Sequence, residues 1–144
     1  MKPMIRLLLA ATLLWSWIGP AAAQEVEAGD MVRGGMQAIQ MIDQGKAGEL
    51  WDGATAATRK RVQRADFINQ VASSRAPFGT PRMRTWVAVN RQVVTDPDDD
   101  TAGQYVSIEY ETRFSNRPDS TLRELVSFHL DRDRIWRFSG YVLR

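Results

Sequence analysis

The hydrophobic period of this chain changes once, near residue 82, from about 3.6 to 2, and that change orders helices before strands. Upstream, residues 28–44 set Ala28, Met31, Val32, Gly35, Ile39 and Ile42 on one helical face, with Arg33, Gln37, Gln40 and Gln44 away from it. Gly45 stands where such a helix stops. Gly34 and Gly35 in its middle each cost about 1 kcal/mol relative to Ala, so the pair predicts close packing against a neighbour or a weak helix. A short second amphipathic segment carries Ala47, Leu50, Trp51, Ala54 and Thr58 on one side. A third helix spans about Arg64 to Arg75, with Asp66 in its first turn, where negative charge suits the helix dipole. Phe67, Ile68, Val71 and Ala72 form its inward side, and Pro77 and Gly79 end it.

Downstream, residues 104–114 alternate strictly. Val106, Ile108, Tyr110, Thr112 and Phe114 face one way, and Ser107, Glu109, Glu111 and Arg113 the other. Residues 82–94, 121–130 and 135–143 complete four strands, broken at residues 96–100, 115–118 and 131–134. Three helices packed on a four-stranded antiparallel meander make an α+β domain with the helices on one sheet face. The last hairpin should turn Val126, Phe128 and Leu130 inward together with Trp136, Phe138 and Val142. A strict two-residue turn would oppose Phe128 to Arg137 and exchange faces, so the loop must be odd in length or carry a bulge. Phe128 then meets Phe138, and His129 meets Arg137 on the outer face as an ordinary surface histidine.

The N-terminus carries a different message. Lys2 and Arg6 precede a nearly unbroken apolar stretch over residues 7–18, followed by Gly19-Pro20 and Ala21-Ala22-Ala23. That is the plan of a secretory signal cleaved after Ala23, which leaves residues 24–144 as one domain. The stretch is short of the roughly 20 residues a membrane span needs, so no stable anchor is expected after cleavage. Lys2 and Arg6 leave with the leader and no acid does, so 17 basic residues then face 17 acidic ones. A neutral domain lacks the positive field of a nucleic-acid binder. With no cysteine there is no disulfide framework or thiolate nucleophile, so stability rests on packing, to which Trp51, Trp86 and Trp136 contribute.

Candidate chemistry is sparse. His129 is the one histidine, on a strand face beside arginines, which offers neither the enclosure nor the orienting partner that a general base needs. Asp96, Asp98 and Asp100 have the first-third-fifth spacing of a calcium loop, but Thr101 stands where the turn wants Gly and Ser107 where it requires a bidentate Glu. A solvated hairpin tip is the plainer reading, and no metal or cofactor is expected. Arg59, Lys60, Arg61 and Arg64 form a basic cluster that reads as a solvated helix face. Glu124 shares the inward side of its strand with Val126 and Phe128. It is the candidate general base if the domain catalyses, or else an ion-pair partner of Arg75 or Arg84 at the sheet end.

Several motifs stand together: Ile42-Asp43-Gln44-Gly45 before Trp51, Arg75-Ala76-Pro77-Phe78-Gly79, Gln104-Tyr105-Val106 through Thr112-Arg113-Phe114, and Ile135-Trp136-Arg137 with Gly140-Tyr141-Val142-Leu143-Arg144. Over about residues 32–144 the chain resembles the exported bacterial proteins grouped as domain of unknown function 4019. It departs from them at Asp133-Arg134-Ile135, where the family usually carries a Gly, and at Phe67 in place of Trp. The resemblance implies a cystatin-like or reduced nuclear transport factor 2-like fold, a cone-shaped cavity between helices and sheet, and no established activity.

Three functions compete. The first is a periplasmic binding or accessory module that takes an apolar small molecule or a protein partner, with Trp51, Arg75, Tyr110 and Trp136 as the contact residues. The second is an isomerase- or dehydratase-like enzyme with Glu124 as base. The third is a structural factor whose cavity is filled. Two polar side chains converging in a closed cavity would favour the enzyme.

Overall fold

The computed structural model describes residues 27–95 and 100–144. The expected leader with its cleavage site, and residues 96–99 of the expected acidic hairpin tip, lie outside the described residues. Among the described residues, four helices, α1 (Ala28–Asp43), α2 (Ala47–Asp52), α3 (Ala56–Arg61) and α4 (Arg64–Arg75), lead through a 3-10 turn (Ala76–Phe78) to the strands. β1 (Pro81–Val94), β2 (Gly103–Phe114), β3 (Leu122–Leu130) and β4 (Trp136–Leu143) form one antiparallel sheet in sequence order. This is the α+β arrangement expected, with one refinement. The middle helical segment is two helices, because Gly53 caps α2 and the Thr55 hydroxyl accepts from the Thr58 amide at 3.3 Å to open α3.

β2 supplies the floor of the core. Val106, Ile108, Tyr110, Thr112 and Phe114 are each at most 1% exposed, while the intervening residues are half-buried or exposed. α1 lies over them with Met31, Ala38, Ile39 and Ile42, and each large apolar side chain so buried contributes roughly 1.5–3 kcal/mol. Ala28, placed on that face by periodicity, is exposed at the first turn. Of the two glycines, Gly35 is the point of close approach: a methyl there would lie 2.5 Å from the Tyr110 hydroxyl and 3.3 Å from Ile108 Cβ. Gly34 has ordinary room, since a methyl there would stand 3.8 Å from Phe128 Cζ. The space between α1 and the sheet is thus filled rather than hollow. Trp86 contributes less to packing than expected. It sits on the edge strand β1 and is 51% exposed.

The last hairpin follows the expected register and then departs from it. Residues 131–135 form an odd loop, with Leu130 opposite Trp136, Phe128 opposite Phe138 and His129 opposite Arg137. Ser127 then pairs with Gly140, leaving Ser139 as a bulge. Beyond it the faces exchange: Tyr141 points inward opposite Val126, and Val142, expected in the core, is 48% exposed. At this bulge α3 covers the sheet edge. The Thr55 amide donates to Phe138 O at 2.9 Å and the Thr58 hydroxyl to Ser139 O at 2.9 Å, which removes two open acceptors from an otherwise sticky edge.

His129 requires a correction. It does lie on the outer face, but it is only 5% exposed, because residues 101–103 fold across it. Its Nδ1 is 2.7 Å from Asp131 Oδ1, its Nε2 is 2.9 Å from Ala102 O, and the Tyr105 ring lies 4.6 Å away. Arg137 ties the same Asp131 at 2.8 Å and Asp133 at 2.7 Å.

Candidate functional site

The chemistry-bearing side chains converge where the C-terminal ends of α1 and α4 meet the sheet. α1 ends on Asp43 and α4 on Arg75. The β1–β2 register sets Arg84 opposite Thr112, and the β2–β3 register sets Tyr110 opposite Glu124. The Ser139 bulge adds Tyr141 from β4. Arg84 is the hub: Nε donates to Glu124 Oε1 at 2.7 Å and to Thr112 Oγ1 at 3.2 Å, while Nη1 and Nη2 donate to the two oxygens of Asp43 at 2.9 and 3.2 Å. Arg75 Nη2 also donates to Asp43, and the Arg75 guanidinium sits 5.6 Å from the Phe114 ring centroid.

Glu124 is fully buried. Its Oε1 accepts from Arg84 and from the Thr112 hydroxyl, and its Oε2 accepts from the Tyr141 hydroxyl at 2.6 Å. The electrostatics fit this closure. Burial pushes the Tyr141 phenol up, and the neighbouring Glu124 charge pushes it further, so it stays a donor. Burial likewise raises the Tyr110 phenol to about 12. Burial acts to raise the Asp43 carboxyl, but hydrogen bonds from Arg84 and Arg75 outweigh it and hold the group below the ordinary aspartate value.

A general base must present a lone pair to a substrate proton. Both Glu124 oxygens already face donors inside the protein, and the side chain meets no solvent. The arrangement is an ion pair with Arg84, one of the two partners the sequence offers, and Arg75 turns to Asp43 instead. The other anticipated contact residues are occupied too. The Tyr110 hydroxyl donates to Val32 O at 2.6 Å and is wholly buried, Trp51 Nε1 donates to Val62 O at 2.8 Å, and Trp136 packs half-buried against the core. These placements do not bring Trp51, Tyr110 and Trp136 to a shared opening.

Arg75 does line an opening. A cleft of about 310 Å³ lies beside α4, lined by Ile42, Ala47, Ile68, Val71, Ala72 and Pro81 together with Asp43 and Arg75. Ala72, expected to point into the core, is exposed on this wall. On the other flank of α4 a second cleft of about 310 Å³ runs along β4 between Thr58, Phe67 and Ser139–Leu143. Asp43 and Tyr141 escaped sequence reasoning as site residues. Gly140 inside a strand was the available sign of the bulge that turns Tyr141 inward.

Fold and site define a small α+β domain whose buried Glu124 is closed off by its neighbours and which carries a cleft on either flank of α4. Residues 34–141 match the model of a family described as protein of unknown function (DUF4019), and the chain belongs to that family. No curated protein matches the sequence.

Proposed function

We propose that this protein is an exported binding or accessory module of the bacterial periplasm, and that its binding site is the cleft beside α4 that Arg75 lines. The leader, with its basic start, apolar run and Ala21-Ala22-Ala23, supports export. The observation that carries binding over catalysis is the state of Glu124, with both oxygens held by Arg84, Thr112 and Tyr141 and none of its surface exposed. A mostly apolar lining with a few polar groups is the usual make-up of a small-molecule site.

Thermal-shift screening of an apolar small-molecule library tests the reading. Ligands that raise Tm should lose their effect in Ala72→Trp, which fills the cleft from an exposed position, and should keep it in Glu124→Gln once the lower baseline is allowed for. A substrate whose turnover disappears in Glu124→Gln while its binding survives would overturn it.

A further inference from the structure

We infer that the cleft beside α4 takes a small monocarboxylate with an apolar body, its head held by Arg75; this rests on the cleft being the binding site. Two arginines share Asp43, and they differ in what they leave over. Arg84 directs all three nitrogens at acceptors. Arg75 is only 9% exposed, yet one nitrogen, Nη2, meets a protein acceptor, and Nε and Nη1 meet none. Among the described residues no fully buried side-chain nitrogen or oxygen lacks a partner, so these two nitrogens reach solvent, and the opening that Arg75 lines is the cleft.

Two neighbouring guanidinium donors that no protein acceptor engages match the two oxygens of a planar carboxylate, which would replace water there with charge-assisted hydrogen bonds. The surrounding ion pairs agree. Arg75, Asp43, Arg84 and Glu124 form a chain of alternating charge through their ion pairs. Its Glu124 end is closed by Thr112 and Tyr141, and at its other end Asp43 lines the cleft beside Arg75 with both oxygens already engaged by Arg75 and Arg84, so the unengaged polar atoms there are the Arg75 donors. Ile68, Val71, Ala72 and Pro81 then offer an apolar wall to the ligand's body. The volume is at the small end of ligand pockets, about 300–1,000 Å³, which suits a short aliphatic acid rather than a long-chain lipid.

Calorimetric titration of octanoate and octan-1-ol into protein purified after expression of the full chain tests this. Octanoate should bind at least about tenfold more tightly than the alcohol, the difference one charge-assisted hydrogen bond makes. Arg75→Lys, which keeps a cation beside Asp43 but loses the planar fork, should weaken octanoate by a similar factor and leave octan-1-ol unchanged. Ala72→Trp should abolish both. Equal binding of acid and alcohol, both lost in Ala72→Trp, overturns the carboxylate assignment while the cleft stands. Binding of neither, or binding untouched by Ala72→Trp, overturns the cleft as well. The comparison of the two ligands on the unaltered protein decides the head group even if Arg75→Lys folds poorly.

Discussion

Arg75 and Arg84 meet at the carboxylate of Asp43, one from the end of α4 and the other from β1, and through it they lock the C-terminal ends of two helices to the sheet. Asp43 is held below its ordinary value, near 3.8: burial opposes this, and the Arg84 and Arg75 hydrogen bonds prevail. The carboxylate therefore contributes stability that is full above the unfolded value and is lost as pH falls through the folded one. Asp43→Asn should cost about 2 kcal/mol or more at neutral pH, because two partly buried guanidiniums lose a shared anion. The gap between variant and parent should close as pH drops below about 4. Urea melts at a series of pH values would show it; a gap independent of pH would contradict the role given to Asp43.

The two glycines of α1 should respond in opposite ways. Gly34→Ala has space beside Phe128 and should stabilise by up to about 1 kcal/mol through helix propensity. Gly35→Ala would drive a methyl against Tyr110 and Ile108 and should destabilise despite the same propensity gain, by about 1–3 kcal/mol. Denaturant midpoints of the two variants are enough to compare them.

Arg134 is the described non-glycine residue with positive φ, at +66° in the loop before Trp136. A left-handed conformation costs an L-residue roughly 1–2 kcal/mol, a cost that glycine escapes. Arg134→Gly should therefore raise stability by about 1 kcal/mol, read as an increase in Tm without change in the native circular dichroism.

His129→Ala should cost about 1–3 kcal/mol, because it takes the ring from Asp131 Oδ1 and from the Ala102 carbonyl under the covering residues 101–103 and leaves the Asp131 carboxylate only its bond from Arg137. An effect below about 0.5 kcal/mol, the usual size for a surface position, would mean that the 101–103 segment does not cover the ring in solution.

What could be read from the sequence was whatever obeys a period. The alternation of residues 104–114 placed every inward side chain of β2, and the need to bring Phe128 and Phe138 together required the odd loop of residues 131–135. Periodicity fails where one residue breaks it. Extending the alternation through Ser139 put Val142 inside and hid Tyr141, and with it the second clasp on Glu124. It fails again where a non-periodic segment covers a regular face, as residues 101–103 cover His129. The convergence of Asp43, Arg75 and Arg84 joins residues more than thirty positions apart, and no local pattern marks it.

If the ionic core is structural and binding occurs beside it, in the cleft at Arg75, an amide-resolved NMR titration of the protein with octanoate tests both halves most directly. Shift changes should concentrate on residues 42–47, 68–76 and 79–81. Changes centred instead on Tyr110, Glu124 and Trp136, with the α4 cleft silent, would contradict that division of roles.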